Sequence, residues 1–287
     1  MIELFLNEKS LDGQFSTIED FSENAVVELI AVLNDQEKLS ENTMLYKSEA
    51  IADAKITPTQ TYTEVIFGEE SKIYDSIRRY KRQLSRLISE PFWNNQSKQS
   101  KKDRYMSLDG RSLNGTSIAE AESRNGILVS FAHSEYSEKN VKFKKNTNDV
   151  QVSNVCQRGQ LIDISYQKTF ITFKKYVCLK FENQKLDFSQ AIADKVWDCI
   201  TKERESLVLS TFETFCKKSW IEIPQDRGLG YKTYNKSRKN NHFFTKEAWK
   251  KGIKEFRLSG KFRCFGYVES NKFYLLMIDW EHLLGDL

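Results

Sequence analysis

Over the first 112 residues, apolar residues recur with the spacing of a helix in some segments and of a strand in others. The run IELFL predicts an opening strand, and STIE at 16–19 is a capping-box pattern before a helix that runs to about Asn34. NTMLYKS predicts a second strand, and a further helix is expected after Thr57-Pro58. The N-terminal region is therefore expected to contain both helices and strands.

An amphipathic helix is predicted over residues 71–90, SKIYDSIRRYKRQLSRLISE. Apolar residues recur in it at three- and four-residue spacing, at Ile73, Ile77, Tyr80, Leu84 and Leu87. Arg78, Arg82 and Arg86 lie at i, i+4 and i+8, so they form one cationic stripe. Pro91 disfavours helical geometry before it, and the polar run NNQSKQSKKDR predicts a loop.

From Leu113 the pattern changes to short runs separated by Asn, Ser, Gly and Asp. TSIAEAESRNG predicts a short helix, and strands are predicted for ILVSFAH, NVKFKKN, DVQVSNV, QLIDISY and TFITFKKYVCLKF. Two more helices are predicted, in DFSQAIADKVWDCITKE and LVLSTFETFCKKSW. Strands and helices come in runs, so we predict an α+β fold with a mostly antiparallel sheet flanked by amphipathic helices. We expect an acidic region 1–112 and a region 113–287, with a single domain as the alternative.

The stretch from Lys254 to His282 predicts a C-terminal β-meander. KEFRLSG and KFRCFGYV can pair across a short turn, and FYLLMID adds a third strand. Alternation places Glu255 and Arg257 on one face of the first strand. FYLLMI is apolar at every position, which is typical of a strand that is covered on both faces.

Composition favours a globular protein: of 287 residues, 39% are apolar, 29% charged and 13% aromatic. No window approaches the ~18 uninterrupted apolar residues of a membrane-spanning helix, and MIELFLNEKS lacks the basic start of a signal peptide. We therefore expect a cytoplasmic protein with no membrane partner. Only three prolines beside abundant Lys, Asn, Ser and Ile are typical of an AT-rich bacterial genome or mobile element.

The formal net charge of +4 conceals an uneven distribution. Residues 1–76 carry 16 acidic and 5 basic side chains, whereas residues 78–104 carry 9 basic and 2 acidic and residues 227–263 carry 12 basic and 2 acidic. Such asymmetry indicates a nucleic-acid partner, and the acidic region is a candidate surface for a protein partner. Aromatic residues interleaved with lysines after 227 suit single-stranded nucleic acid. The candidate nucleic-acid-binding residues are Arg78, Arg82, Arg86, Lys101, Lys102, Lys232, Lys236, Arg238, Lys239 and Arg257.

Common catalytic motifs are absent from the sequence. It contains no phosphate-binding G-x-x-x-x-G-K-[ST], no G-x-G-x-x-G, no G-x-S-x-G and no H-E-x-x-H. The five cysteines are at least 17 residues apart and the three histidines are scattered, so the pattern suits neither a zinc site nor a disulfide framework. We expect no metal and no cofactor.

The pattern E-F-R-x-x-G-K-x-R-x-F-x-Y, followed by a short turn and an apolar strand, resembles the sheet of RelE-type toxins. That family consists of small ribonucleases that cleave RNA without metal. The resemblance covers about 30 residues and implies that Arg263 stabilises charge at a phosphate and that His282 acts as an acid or base. Glu255 takes a position where the family has a basic residue, and it is the third candidate catalytic residue.

Two functions stay open at this point. The first is a bacterial nucleic-acid-acting effector of the toxin or phage-defence type, binding RNA or DNA through segments 78–104 and 227–263, with metal-independent ribonuclease activity as one form. The second is a non-catalytic nucleic-acid-binding or scaffolding subunit of a multiprotein defence complex.

Overall fold

The computed structural model describes residues 1–237 and 240–284, apart from the side chains of Ser134 and Glu135. Contacts group the chain into two compact units, Met1–Phe170 and Ile171–Leu287. The boundary expected after residue 112 falls inside the first unit, where strands from both sides of that position share one sheet. Each unit has its own sheet and its own hydrophobic cluster.

The first unit contains a six-stranded mixed sheet with helices. Its strands are β1 (Ile2–Leu6), β2 (Thr43–Tyr46), β3 (Tyr105–Ser107), β4 (Ile127–Val129), β5 (Asn140–Lys145) and β6 (Asn148–Val155). Its helices are α1 (Ile18–Asp20), α2 (Val26–Lys38), α3 (Tyr62–Phe67), α4 (Glu70–Ile73), α5 (Asp75–Ser85), α6 (Ser117–Ser123) and α7 (Gln160–Gln167). A π-helical turn, Phe21–Ala25, joins α1 to α2, and 3₁₀ turns occupy Glu8–Ser10, Glu49–Ile51, Arg86–Ile88, Asn94–Gln96 and Ser134–Ser137.

The strand order of the first sheet is β2-β1-β4-β6-β5-β3. Strands β2, β1, β4 and β6 are mutually parallel, and β5 and β3 continue the sheet in antiparallel pairs. Leu4 pairs with Leu45 on one side and with Ile127 on the other. The apolar runs IELFL and ILV suit this arrangement, because parallel strands are usually covered on both faces.

The polar run after α5 is fixed against α6. The fully buried carboxylate of Glu120 accepts hydrogen bonds from Ser97 Oγ (2.7 Å) and from the backbone N–H of Lys98 (2.9 Å). It also pairs with Arg124 Nε at 2.6 Å, and Arg124 Nη2 donates to the carbonyl of Gln96 at 2.6 Å. The buried ion pair therefore orders a segment that the sequence presents as a plain polar loop.

The second unit contains a five-stranded sheet in the order β7-β11-β10-β9-β8. Its strands are β7 (Leu186–Asp187), β8 (Lys232–Thr233), β9 (Lys254–Ser259), β10 (Phe262–Glu269) and β11 (Lys272–Asp279). Its helices are α8 (Phe173–Lys180), α9 (Ala193–Val196), α10 (Lys202–Lys217) and α11 (Lys246–Lys251), with a 3₁₀ turn at Ile223–Gln225. The pair β7–β11 is parallel and the other three pairs are antiparallel.

One face of the second sheet is covered by α10. Phe215 packs against Phe256 and Phe273, with ring centroids 4.6 and 5.6 Å apart, and Phe212 lies 6.4 Å from Phe256. Strand β11 is an interior strand and is buried along most of its length. The predicted meander, including an apolar third strand covered on both faces, is confirmed.

The α+β class is confirmed, and both sheets are mixed. Two predicted strands are wrong, because QLIDISY forms α7 and most of TFITFKKYVCLKF forms α8. Gly159, with φ of +82°, precedes α7, and Thr172 Oγ1 caps α8 by accepting from the backbone N–H of Lys175. The helix predicted over DFSQAIADKVWDCITKE is largely absent: this run contains the last residue of β7, the single turn α9 and the first two residues of α10. Ile73 ends α4 and is 72% exposed, so it does not belong to the apolar face of α5.

Candidate functional site

The β9–β10 hairpin brings two arginines together. Arg263 pairs in register with Arg257, and two residues farther from the turn Phe265 pairs with Glu255. Between them Cys264 pairs with Phe256, and both of these side chains are fully buried on the opposite face. Directly opposed residues of an antiparallel pair share a face, so two side chains of like charge leave the same face of the hairpin from facing positions.

Both guanidinium groups donate to backbone carbonyls. Arg263 Nη1 donates to the carbonyl oxygens of Gly260 (2.8 Å) and Phe262 (3.0 Å), and Arg257 Nη1 donates to that of Arg227 (3.4 Å). Within residues 1–237 and 240–284, neither arginine forms an ion pair with a carboxylate. A carbonyl oxygen orients a guanidinium without neutralising its charge, so this face keeps a positioned double positive charge.

His282 reaches the same hairpin turn. Its Nδ1 lies 3.1 Å from the carbonyl oxygen of Lys261, between the two carbonyls that hold Arg263. A carbonyl only accepts, so Nδ1 carries the proton, and in the neutral ring the lone pair is on Nε2. Arg263 and His282 are thus brought together at one turn.

Asp279 fixes the backbone conformation that positions His282. Its carboxylate is 3% exposed and accepts hydrogen bonds from the backbone N–H groups of Glu281 (3.2 Å), Leu283 (3.0 Å) and Leu284 (2.8 Å). These bonds close a turn in which His282 adopts a φ of +60°. In the sequence motif Asp-x-x-His, the aspartate therefore shapes the backbone that carries the histidine.

Glu255 lies away from that turn. It is 4% exposed, and its Oε1 forms an ion pair with Lys232 Nζ at 3.2 Å across the β8–β9 pair. Lys232 itself is exposed. The carboxylate of Glu255 is thus ion-paired with a lysine at the edge of the sheet, and Glu255 lies two residues along the strand from the Arg257–Arg263 pair.

The other predicted cations are divided between the units. In the first unit Arg78, Arg82 and Arg86 are exposed on α5 and the 3₁₀ turn after it, and Lys101 and Lys102 are exposed beyond the segment that Glu120 fixes. Arg78 is ion-paired with Asp75. In the second unit Lys236 is exposed, whereas Arg238 and Lys239 lie outside the described residues.

A stack of side chains that the sequence does not predict supports the hairpin turn. The guanidinium of Arg204 lies 4.5 Å from the ring centroid of Trp280 and 5.7 Å from that of Phe262, and the two rings are 5.0 Å apart. Arg204 belongs to the first turn of α10, far from the hairpin in sequence. Only the fold shows that this cation braces the turn that holds Arg263.

Residues 1–237 and 240–284 lack two features. They contain no helix long and apolar enough to cross a membrane. They also contain no group of three or more His, Cys, Asp and Glu side chains placed to hold a metal ion. The five cysteine thiols are free, and burial raises the pKa of Cys264 well above its usual value.

Comparison with known proteins adds no relative. No family model, no curated protein and no solved structure matches this chain.

Proposed function

We propose that this protein is a nucleic-acid-acting effector that holds the phosphate backbone of RNA or DNA on the Arg257–Arg263 face of its second sheet. The observation that carries the proposal is the direct opposition of these two arginines across β9 and β10. Like charges placed opposite each other on adjacent strands are destabilising. A phosphate between the two guanidinium groups would turn that repulsion into binding energy.

The chemistry of arginine suits a phosphodiester. A guanidinium presents several N–H donors in a planar fork, and charge-assisted hydrogen bonds to phosphate are among the stronger ones in proteins. Further cations flank the pair, because Lys232 and Lys261 are exposed and segment 227–263 has a large excess of basic residues. Such a surface attracts a polyanion over a distance that depends on salt.

Metal-independent cleavage of RNA is a second candidate, favoured by the proton position on His282. Nε2 would take the proton of a ribose 2′-hydroxyl, and the 2′-oxygen would form a bond to phosphorus. The bond from phosphorus to the 5′-oxygen would then break, and that oxygen would take a proton from water. Arg263 would stabilise the negative charge that develops on the phosphate oxygens. DNA lacks the 2′-hydroxyl and would be bound but not cut.

The proposed function places the protein in the cytoplasm, where RNA is present and free thiols such as the five found here persist. The acidic residues 1–76 are proposed as the surface for a protein partner. In a non-catalytic form, the protein would bring nucleic acid to such a partner instead of cutting it.

The test uses labelled RNA and DNA of one sequence, incubated with the full-length protein in magnesium and in EDTA. Retention of both at low salt, with an affinity that falls steeply as salt rises, is expected because bound counterions are released. Arg263→Gln should weaken retention, whereas Lys217→Gln, which removes the same charge from the exposed end of α10, should not. Cutting of RNA alone, in EDTA, supports the second candidate. Equal retention by the wild type and Arg263→Gln overturns the proposal.

A further inference from the structure

The Arg257–Arg263 face of the second sheet also carries a hydrophobic cluster with an aromatic edge. The buried members of the cluster include Phe265 and Tyr267 of β10, Phe244, and Met277 of β11. The partly buried residues packed against it are all aromatic, and we call them the aromatic rim: Tyr234, Phe243, Trp249 and Tyr274. A cluster edge made only of rings that stay partly accessible offers flat faces to a ligand.

Three of the four rim rings take part in nearly parallel pairs. Tyr234 and Trp249 stack with an interplanar angle of 18° and centroids 6.2 Å apart, and Tyr274 stacks on Tyr267 at 14° and 5.1 Å. His242, which is exposed, lies 4.2 Å from Phe243. Stacked rings extend a planar surface, which is the shape that a nucleobase or another ring can continue.

Lysines accompany the rings. Lys236 Nζ lies 5.9 Å from the ring centroid of Trp249, and Lys195 Nζ lies 6.0 Å from that of Phe243. Lys251 Nζ lies 4.4 Å from Tyr267, the ring on which Tyr274 stacks. Lys251 is ion-paired with Glu269 at 2.9 Å, so Lys236 and Lys195 are the cations that stand beside ring faces here and could take the phosphate attached to a stacked base.

The rim is continuous with the arginine pair. Phe265 follows Arg263 by two residues on β10 and pairs with Glu255, which precedes Arg257 by two residues on β9. Residues two apart on a strand lie on the same face. Phe265 is itself buried, and the rim residue Tyr234 packs on it with ring centroids 4.9 Å apart, so the rim begins two residues along the strand from the arginine pair.

We infer that the nucleic acid taken by this face is single-stranded, with unstacked bases lying on the rings of Trp249 and Phe243 while the phosphates lie on Arg257 and Arg263. This inference rests on the proposed function and narrows its substrate class. A duplex keeps its bases stacked within the helix and offers mainly phosphates and groove edges, so it would use the arginines alone. A single strand would use both the arginines and the rim.

The test compares three probes with the full-length protein at one salt concentration: a 12-mer of thymidylate, a 12-mer of abasic sugar-phosphate, and a 12-base-pair duplex. The thymidylate strand should bind more tightly than the other two. Trp249→Ala should weaken thymidylate binding roughly 5- to 150-fold, the range found when a stacking ring is removed, and leave abasic binding unchanged. Trp249→Phe keeps a ring and should bind nearly as the wild type does, although it loses the hydrogen bond from Nε1 to the carbonyl of Asn241.

Ile221→Ala is the matched control, because Ile221 is an exposed apolar residue of the same unit outside the rim. Abasic and thymidylate strands bound with equal affinity would overturn the inference and leave the proposed function standing. A loss in Trp249→Ala that Trp249→Phe shares, or that extends to the abasic strand, would overturn it too, since it would show a structural role for the ring. Failure of all three probes to bind would reject the proposed function itself.

Discussion

Arg263 stands opposite Arg257 across β9 and β10, and backbone carbonyls hold both side chains where no described carboxylate pairs with them. The two like charges repel each other in the free protein, and a bound anion would offset that repulsion. The losses in binding free energy from replacing each arginine should therefore be non-additive, and replacing either one should relieve repulsion in the free protein.

A double-mutant cycle with Arg257→Gln and Arg263→Gln measures this coupling. Arg257→Gln should change the free energy of unfolding by no more than about 0.5 kcal/mol, because its carbonyl contact is long and a like-charge neighbour is relieved. The same change should weaken nucleic-acid binding by about 1.5 kcal/mol or more, as for a charge-assisted hydrogen bond. Additive losses in binding would contradict a shared phosphate.

Asp279 should matter more for stability than His282. Asp279→Asn removes one acceptor oxygen, so the backbone N–H of Leu284 loses its partner, at a cost of about 1–3 kcal/mol. His282→Ala removes the contact of a partly exposed ring with the carbonyl of Lys261 and should cost less. Urea unfolding of both variants at pH 7 checks the order, and the reverse order would show that Asp279 does not close this turn.

Glu120 should control the segment from Gln96 to Gln99. Glu120→Ala leaves the buried side chain of Arg124 without its closest carboxylate, which should cost about 3–5 kcal/mol. Trypsin should then cut at Lys98 well before the rest of the unit is digested. Ser97→Ala removes only one bond to the same carboxylate and serves as the control. Unchanged cutting at Lys98 in Glu120→Ala would argue against this anchor.

Glu8 should make the protein less stable as pH rises. It is 6% exposed, its Oε2 has no hydrogen-bond partner among the described residues, and burial raises its pKa from 4.5. The folded state then holds a proton that the unfolded state releases, so this stability is present below about pH 4.5 and is lost as pH rises through the folded-state pKa. Glu8→Gln should flatten the dependence and be the more stable protein near pH 8. Unfolding by urea between pH 4 and 8 measures it, with the exposed Glu19→Gln as control.

Gly266 should be the least replaceable glycine of the second sheet. It follows a register shift between Phe265 and Gly266, and an added Cβ would overlap the carbonyl oxygen of Tyr274 and lie 2.5 Å from the ring of Phe273. We expect Gly266→Ala to cost about 3 kcal/mol or more. An added Cβ at Gly260 in the hairpin turn meets no atom within 4 Å, so Gly260→Asn should cost about 1 kcal/mol or less, despite a φ of +45°. Thermal unfolding of the two variants compares them directly.

The strands that could be predicted are those whose pattern is decided locally. The β9–β11 meander follows from alternation on either side of tight turns, whereas the pairing of Arg257 with Arg263 depends on a register shift between Phe262 and Arg263 that alternation does not predict. The predictions for α7 and α8 failed because their β-branched and aromatic residues are typical of strands. Helical packing of Leu161, Ile162 and Ser165 overrides that preference.

The site is less predictable than the fold because its contacts join distant parts of the chain. The charge of segment 227–263 is visible in the sequence, and so is the Asp-x-x-His ending. The brace from Arg204 to Trp280, and the carbonyl of Lys261 that fixes the proton on His282, depend on side chains meeting after folding. The ion pair between Glu255 and Lys232 likewise depends on β8, a strand of two residues that has no sequence pattern of its own.

Strand β11 has a consequence for synthesis. It lies between β7 and β10 and pairs with both, yet it leaves the ribosome after every other strand of its sheet. The first unit can complete its own sheet while the second is still being made, because domains generally fold as units during translation. The arginine face and its aromatic rim are therefore assembled only when translation has passed Asp279, so a ribosome that stalls earlier displays no finished binding surface.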